Sequence, residues 1–242
     1  MPTRREITRE ATLREIKEVA LARMRDGGST EVRFADIARD MRMSAPGLYR
    51  YFDGRDELVT ALIADAFHDL AEGLEKARDA VPTDDPGGRL LALCLEFRAW
   101  SAREPQRFAL LFGPPIPGYS APADGPTTEA AKRAMAALKS VAHEACAAGN
   151  VLTPRYADVS PALLADFAAV EKETGEPHLP PEVVQPLMHA WAALHGFVSL
   201  EAYGHLVFHT QPARDDLFVG LVRSLADLVG LPAPAAGWAV SP

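Results

Sequence analysis

The sequence has little cysteine, few aromatic residues and little lysine. Its 242 residues include only two cysteines, Cys94 and Cys146, and aromatic residues make up 7%. Two cysteines so far apart form neither the close pairs of a zinc site nor the framework of a small disulfide-rich secreted domain. A reducing compartment is therefore expected, and we predict that the protein is cytoplasmic.

Long hydrophobic runs are also missing. The longest uninterrupted apolar stretch, Leu90–Leu95, is far shorter than the ~20 residues that a membrane-spanning helix needs. The Arg-rich first residues are interleaved with acids and no apolar segment follows them, so no secretion signal is expected. With 48% hydrophobic and 24% charged residues, the chain is predicted to be a globular protein of one or two domains with no membrane partner.

Familiar catalytic motifs are missing as well. The sequence contains no Gly-x-Ser-x-Gly, no phosphate loop ending in Gly-Lys-Ser/Thr, no Gly-x-Gly-x-x-Gly and no His-Glu-x-x-His. We therefore expect neither an enzyme nor a cofactor. An all-helical hydrolase or lyase could still use carboxylates such as Glu96 and Asp166, but nothing in their spacing singles them out.

The net charge of −8 is unevenly distributed along the chain. Residues 1–57 contain 12 Lys and Arg and 11 Asp and Glu, whereas residues 58–242 contain 13 and 22. This asymmetry indicates two different tasks for the two parts. Arg4, Arg5 and Arg9 could form an N-terminal arm that reaches phosphates, and solvated tail residues are the alternative.

Apolar residues recur at helical spacing along almost the whole chain, so the sequence predicts an all-α fold without strands. In the N-terminal part, helices are expected at Leu13–Met24, at Phe34–Met41, directly after Ser44, and at Leu58–Leu74. After a Pro/Gly-rich linker at 82–88, helices are expected at Leu90–Trp100, Pro105–Phe112, Ala130–Ala148, Pro161–Val170, Val183–Phe208 and Leu217–Val229, with a surface loop or lid at 113–126.

Three short helices with a tight turn between the second and third are typical of a helix-turn-helix. Ile37 and Ala38 would pack the second helix, and Leu48 and Phe52 would anchor the third helix to the core. In this motif the third helix enters the major groove of DNA and the second supports it. The residues predicted to contact DNA are Ser44, Ala45, Pro46, Gly47, Tyr49, Arg50, Tyr51 and Arg55.

Two kinds of DNA contact are expected. The hydroxyl and guanidinium groups of Ser44, Tyr49, Tyr51 and Arg55 can reach phosphates, which position the protein without specifying sequence. Arg50 is the best candidate for a guanine edge, where a bidentate pair contributes ~1–3 kcal/mol to discrimination. For the tyrosines, packing in the core of a three-helix bundle is the alternative role.

The run from Phe34 to Leu58 resembles the DNA-binding domain of TetR-type transcriptional regulators. The matching elements are Asp36-Ile37-Ala38, Ser44, Leu48-Tyr49, Phe52 and Arg55-x-Glu57-Leu58, in order and spacing. The resemblance is strong over about residues 10–65. It implies that Tyr49 and Arg55 contact phosphates and that residues 45, 46, 47 and 50 face bases.

Two positions depart from the family pattern. Arg33 stands where the family often has a threonine or serine at the start of the second helix, so the arginine would have to replace a hydroxyl–phosphate contact. Pro46-Gly47 replaces a common Gly-Thr pair, so a threonine methyl for thymine contact is missing. Gly47 also weakens the helix by roughly 1 kcal/mol relative to alanine.

The resemblance implies that the C-terminal part dimerises and encloses a small-molecule site. The run Trp191–Gly196 resembles a Trp…His-Gly signature of one C-terminal subclass of the family. The segments Val183–Phe208 and Leu217–Val229 have apolar residues on more than one face. One face can pack within the subunit and the other against a twofold mate, which predicts an intermolecular four-helix bundle.

A ligand pocket in this part would be mostly apolar, with a few polar groups that fix orientation. Plain core packing is the commoner role of such residues, because apolar pockets and apolar cores have the same composition. The candidates are Phe67, Leu70, Cys94, Phe97, Arg98, Trp100, Ser101, Phe108, Phe112, Met135, Leu138, Met188, Trp191 and His195.

One row of acidic and histidine side chains has the residue types of a metal site. Glu201, His205 and His209 are spaced i, i+4, i+8 and would lie on one helical face. The outer two would be ~12 Å apart along the axis, too far for one ion. No third histidine or cysteine is close in sequence to a pair of them, so no metal site is predicted.

The predicted organisation is therefore a helix-turn-helix domain (1–57), a connecting helix and linker (58–84), a helical effector-binding and dimerisation domain (85–231) and a flexible tail (232–242). The predicted function is a ligand-responsive TetR-type repressor. It would bind a palindromic operator in double-stranded DNA as a homodimer and be released by a small, largely apolar effector. The alternative is a helical small-molecule-binding protein whose helix-turn-helix is vestigial.

Overall fold

The computed structural model describes residues 3–151, 158–174 and 179–234. Within these ranges the chain forms ten α-helices and no strand, which confirms the predicted all-α fold. The helices are α1 (Arg4–Gly27), α2 (Phe34–Asp40), α3 (Ala45–Leu48), α4 (Arg55–Asp79), α5 (Pro86–Arg103), α6 (Pro105–Phe112), α7 (Pro126–Ala147), α8 (Pro161–Thr174), α9 (Pro181–Ala202) and α10 (Gln211–Val229). None of these helices is both long and apolar enough to cross a membrane.

The chain divides into two compact units. The N-terminal unit contains residues 1–71 and 103–134, and the C-terminal unit contains residues 72–102 and 135–242. Helices α4 and α7 therefore supply residues to both units. The sequence placed the whole of 85–231 in one C-terminal domain, whereas the structure groups residues 103–134 with the N-terminal helices.

Helix α1 has well-defined start and end signals. Thr3 is the N-cap: its hydroxyl accepts the Glu6 backbone N–H, and the Glu6 carboxylate accepts the Thr3 N–H, which together form a capping box. Gly28 ends the helix with a φ of 59°, a left-handed conformation that glycine adopts without strain. The inner face of α1 consists of buried residues four apart, Ile16, Ala20 and Met24.

The turn between α2 and α3 requires one residue with positive φ. Arg42 takes that conformation, with a φ of 53°. The backbone amides of Arg42 and Met43 donate to the carbonyl oxygens of Arg39 and Ala38, which closes a Schellman motif. Glycine is usual at the left-handed position because a Cβ there costs roughly 1–2 kcal/mol.

Helix α6 and the turn after it complete the core of the N-terminal unit. Leu110 and Ile116 are each 7% exposed and join the buried cluster built by α1, α2, α3 and α4. Arg107 on α6 forms an ion pair with Asp69 on α4, with 3.0 Å between Nη1 and Oδ2. The predicted surface loop or lid is thus partly core, because Ile116 inserts between the N-terminal helices.

Helix α5 begins earlier than the predicted linker allows. The Asp85 carboxylate accepts the Gly88 N–H at 2.8 Å. Pro86 is the first residue of the helix, where a backbone N–H would have no helical partner, so its missing N–H costs nothing. At Gly87 an added Cβ would lie 2.5 Å from the Pro232 carbonyl oxygen. Gly87, which the sequence placed in a linker, is therefore a place of close backbone packing.

The predicted helix Val183–Phe208 is too long. Helix α9 ends at Ala202, and turns continue to His209. Gly204 adopts a φ of 76°, and the His205 amide donates to the Leu200 carbonyl at 2.7 Å, which closes the helix end. Apolar residues continue at helical spacing beyond this glycine, which explains the overextension.

The predicted flexible tail, which starts at residue 232, is only partly packed, since Pro232 and Ala233 are exposed. Leu231 is 3% exposed and Pro234 is also buried. Residues 235–242 lie outside the described residues, so flexibility there stays a prediction.

The strain at Arg42 predicts that Arg42→Gly increases the free energy of unfolding by about 1 kcal/mol, because the left-handed conformation costs glycine nothing. Urea denaturation at fixed protein concentration measures this change. The matched control is Arg39→Gly inside α2, which should lose about 1 kcal/mol through helix propensity. A loss of stability in both variants would contradict the assignment of strain.

Candidate nucleic-acid interface

Helix α3 is held from beneath by apolar side chains. Leu48 is fully buried and Phe52, just after the helix, is 5% exposed. On α2, Ile37 and Ala38 are buried in the same cluster. The predicted inner faces of both helices are thus confirmed, and the small side chain of Ala38 lets the two helices approach closely.

The start of α3 is fixed by Ser44. Its Oγ accepts the Gly47 N–H at 3.2 Å, so Ser44 is the N-cap of the helix that was expected directly after it. Pro46 lies in the first turn, where no helical partner for its missing N–H exists. A Cβ at Gly47 would lie 3.2 Å from that same Oγ. Glycine therefore leaves room for the cap, which offsets part of its poor helix propensity.

The outer side of α3 and the turn after it is exposed. Ala45, Pro46 and Arg50 are exposed, and Gly47 is half-buried. Tyr49 is 53% exposed, with its ring centroid 5.2 Å from that of Phe34. Tyr49 is thus supported by α2 on one side and open to solvent on the other.

The N-terminal arginines do not form a separate arm. Arg4 begins helix α1, and Arg9 on the same helix reaches the end of the α3 region. The Arg9 Nη1 donates to the Arg50 carbonyl at 2.9 Å, and its guanidinium lies 5.2 Å from the centroid of the half-buried Tyr51 ring. Arg9 therefore braces the exposed turn, a role that its position in the sequence did not indicate.

Two residues that were predicted to contact DNA already have partners within the N-terminal unit. Arg33 pairs with Glu31, with 3.0 Å between Nε and Oε1, and its side chain remains 69% exposed. Arg55, the first residue of α4, donates from Nη1 to the Pro117 carbonyl at 3.1 Å. The hydroxyl groups of Tyr119 and Thr60 are also 3.0 Å apart. The contacts made by Pro117 and Tyr119 were not expected from the sequence, because residues 113–126 were interpreted as a surface loop or lid.

An ion pair joins α1 to α2. Arg23 donates from Nε and Nη2 to the two carboxylate oxygens of Asp40, at 2.5 and 2.8 Å. These hydrogen bonds lower the pKa of Asp40 below its ordinary value. The same arginine lies 3.6 Å from Asp36, so two carboxylates of α2 are neutralised from α1.

Comparison with known families matches both parts of the chain. Residues 16–62 match "Bacterial regulatory proteins, tetR family", and residues 90–225 match "Tetracyclin repressor-like, C-terminal domain". The second match covers more than half of the chain. The chain belongs to the TetR family of transcriptional regulators.

Individual relatives agree with this membership. The chain is 34% identical over 203 residues to the HTH-type transcriptional regulators Rv1816 of Mycobacterium tuberculosis and Mb1846 of Mycobacterium bovis, over 83% of this chain and 85% of each relative. The crystal structure of SCO4313 matches with a TM-score of 0.71 at 35% identity, over 93% of this chain and 98% of that one. Because the family consists of regulators, the prediction that the chain is not an enzyme is confirmed.

The predicted pocket residues of this TetR-family regulator fall into two separate groups. Four of them lie in the N-terminal unit, where Leu70 and Phe108 are buried. The Phe112 ring contacts Phe67 edge-on at 6.3 Å between centroids and Phe108 at 5.3 Å. The other ten lie in the C-terminal unit.

A small cavity of about 70 Å³ lies inside the C-terminal unit, among α5, α7, α9 and α10. Three of the predicted pocket residues line it, namely Cys94, Leu138 and Trp191. Burial raises the pKa of the Cys94 thiol to about 12, so this side chain is uncharged at neutral pH. The other lining residues are Leu90, Leu93, Lys139, Val141, Ala142, Leu187, Ala190, Leu194, Leu225, Val229 and Leu231.

Arg98 and Ser101 are occupied elsewhere. The Arg98 guanidinium binds both carboxylate oxygens of Glu201 and one of Asp215, the latter at 2.8 Å from Nη1. It also lies over the ring of Phe218, 4.8 Å from the centroid. The Ser101 hydroxyl donates to the Arg98 carbonyl at 2.7 Å. These groups link α5, α9 and α10 and do not line the cavity.

The remaining candidates pack outside the cavity. Phe97 and Trp100 are buried core residues, and Met135 is also absent from the cavity lining. Met188 is 55% exposed on α9. His195 stacks beside Trp191 with ring centroids 5.4 Å apart.

The row of possible metal ligands does not exist in this structure. Glu201 is on α9, whereas His205 and His209 lie in the turns after the helix has ended. Glu201 instead pairs with Arg98. Among the described residues, no group of three or more His, Cys, Asp and Glu side chains could hold a metal ion.

The environment of His195 gives a pH dependence with a definite sign. Burial lowers its pKa, so the folded state takes up a proton at lower pH than the unfolded chain. The stability that this group confers is present above the ordinary histidine pKa of ~6.5 and is lost as the pH falls from that value through the lowered pKa of the folded state. We expect the melting temperature of His195→Gln to fall less than that of the wild type when the pH is lowered from 7.5 to 5.

The control for this prediction is Ser199→Ala. Ser199 Oγ lies 3.4 Å from His195 Nε2, so the change alters the same environment and keeps the titrating ring. This variant should keep the steep acid loss of the wild type. Equal acid sensitivity of His195→Gln and wild type would contradict the prediction.

Proposed function

We propose that this regulator is a ligand-responsive repressor that binds a palindromic operator as a homodimer and is released by a small, largely apolar effector. The observation that carries the proposal is the geometry of α3. Its inner residues are buried beneath it, while Ala45, Pro46 and Arg50 are exposed together on the other side. A short helix with this division can be presented to the major groove.

The DNA contacts divide by chemistry. Ala45, Pro46, Gly47 and Arg50 would face bases, and Arg50 would pair with a guanine edge. Phosphates would be met by Arg33, Ser44, Tyr49, Tyr51 and Arg55. The Ser44 hydroxyl accepts one hydrogen bond as the helix cap and still has its proton to donate. The strongly acidic remainder of the chain would repel DNA and confine contact to the N-terminal unit.

The homodimer would form through the last two helices. One side of each is buried within its own unit, at Val198 on α9 and Phe218 on α10. The other sides expose apolar side chains, with Met188 55%, Leu200 46% and Leu217 47% exposed. Exposed apolar faces on two neighbouring helices fit an intermolecular four-helix bundle.

The effector would occupy the C-terminal cavity after widening it. A volume of about 70 Å³ is well below the ~300–1,000 Å³ of common ligand pockets. Lys139 is the one charged residue among those that line it, and the Cys94 thiol is neutral. A largely apolar molecule is therefore favoured, because every lining residue except Lys139 is uncharged and a charged group placed against them would lose its hydration.

The mechanism follows from linkage between the two binding events. The effector would prefer a state in which the two DNA-contacting units of the dimer are separated differently from the half-sites of the operator. The effector would weaken DNA binding by a factor that its two affinities for the two states determine. DNA would weaken effector binding by the same factor. Helix α4 supplies residues to both units and is therefore suited to transmit the change.

The first test is selection of binding sites from random duplex DNA by the purified full-length protein. We expect a palindrome. Arg50→Ala should weaken binding to it by about 1–3 kcal/mol through loss of a base contact. Tyr49→Phe should weaken binding by about 0.5–1.5 kcal/mol through loss of a phosphate hydrogen bond.

The control for this test is Lys172→Ala, which removes one positive charge from an exposed position on α8, away from the helices proposed to contact DNA or to form the dimer. It should leave operator affinity within error of the wild type. If neither α3-region variant weakens binding, α3 is not the recognition helix. Recovery of a single unrepeated half-site would argue against the homodimer on DNA.

The effector site is tested by filling the cavity. Ala142 is 2% exposed and lines the cavity, so Ala142→Leu should occupy it. With benzene as the probe, we expect a concentration-dependent rise in the melting temperature of the wild type and none for this variant. Ala162→Leu, on the exposed helix α8, should respond like the wild type. A benzene response that survives in Ala142→Leu would place apolar ligand binding elsewhere.

A further inference from the structure

The sequence Ile116-Pro117-Gly118-Tyr119 forms a tight turn of one defined type. The Tyr119 amide donates to the Ile116 carbonyl at 3.1 Å. Gly118, the third residue, has a φ of 71°, and proline precedes it. Proline second and a positive-φ glycine third are the signature of a type II turn. The orientation of the central peptide, between Pro117 and Gly118, is therefore fixed.

This turn is anchored to the core of the N-terminal unit on both sides. Ile116 is 7% exposed within the buried cluster. The hydroxyl groups of Tyr119 and Thr60 are 3.0 Å apart, and Thr60 on α4 is 8% exposed. Upstream, the Arg107–Asp69 ion pair holds α6 against the same helix. The segment from α6 to the turn thus follows α4 back toward its first residue.

The peptide group between Pro117 and Gly118 contacts Arg55. The Pro117 carbonyl, which the turn's own hydrogen bond does not use, accepts the Arg55 Nη1–H at 3.1 Å. An added Cβ at Gly118 would come no closer than 3.9 Å to that nitrogen, so the contact depends on the backbone conformation and not on space. The Arg55 side chain is still 29% exposed, and its Nη1 also lies 3.5 Å from Oδ1 of Asp56.

We propose that the Ile116–Tyr119 turn is a positioning element that holds the Arg55 guanidinium in place to meet a DNA phosphate. The inference rests on the proposed phosphate contact of Arg55. A free arginine side chain has many rotamers and loses them on binding, whereas a side chain already held by a carbonyl loses fewer. Holding one long side chain in place corresponds to roughly a three- to tenfold gain in affinity.

The decisive variant is Gly118→Ala in the full-length protein. Alanine disfavours a φ of 71°, and conversion of the turn to type I would rotate the central peptide so that the Pro117 carbonyl leaves Arg55. We expect operator affinity to fall three- to tenfold on the duplex recovered from random DNA. Gly118→Asn is the matched rescue variant, because asparagine tolerates the left-handed conformation, and it should bind close to wild type.

A double-mutant cycle separates positioning from a purely structural role. Arg55→Ala alone should weaken binding and lower the slope of log affinity against log salt by about one. In the Arg55→Ala background, Gly118→Ala should have no further effect. Melting temperatures of all variants report whether the N-terminal unit remains folded.

Three results would overturn the proposal. An equal loss from Gly118→Ala with and without Arg55 means that the turn acts through the fold. Unchanged binding by Gly118→Ala, while Arg55→Ala weakens it, means that the carbonyl contact does not matter. Unchanged binding and salt slope in Arg55→Ala remove the proposed phosphate contact itself, and binding lost by Arg50→Ala would then still support the recognition helix.

Discussion

The candidate interface depends on the burial of Leu48. Helix α3 has only four residues, and so short a helix cannot form on its own because nucleation costs more than its few hydrogen bonds return. Leu48 fixes it to α1, α2 and α4, and Phe52 continues that anchorage past its end. The Ser44 hydroxyl caps the first turn of α3. The Arg9 guanidinium donates a hydrogen bond to the Arg50 carbonyl, just after α3 ends. The exposed side of α3 therefore owes its position mainly to Leu48 and Phe52, which are buried and would not touch DNA.

Where the sequence was sufficient, a local signal and the tertiary structure agreed. The glycine after α1, the serine cap of α3 and the apolar spacing of α2 each act within a few residues, so they could be read from the chain. The resemblance to a known family added the order of these signals. The outer face of α3 followed from the same periodicity, because residues opposite Leu48 and Phe52 have nowhere else to point.

Where the sequence was insufficient, the deciding contact came from a distant part of the chain. Ile116 looks like a loop residue until the buried cluster of the N-terminal helices is known, although the Pro-Gly pair beside it was a visible signal for an ordered turn. The end of α9 was missed because Leu206, Val207 and Phe208 continue the apolar spacing past Gly204. The cavity could not be separated from the core by composition, since both are lined by the same apolar side chains.

The two cysteines of the chain differ sharply in how they meet solvent, and this gives the protein a built-in chemical reporter. Cys94 is buried, with a thiol pKa of about 12, whereas Cys146 is half-buried. Only the thiolate reacts with alkylating reagents. Modification of Cys94 must therefore wait for the helices around it to separate, whereas Cys146, whose pKa is also raised by burial, is partly open to solvent in the folded state. The slow phase of labelling would measure how often the C-terminal unit opens, and a molecule that binds only the closed cavity would lengthen that phase by the factor 1 + L/Kd, where L is its free concentration.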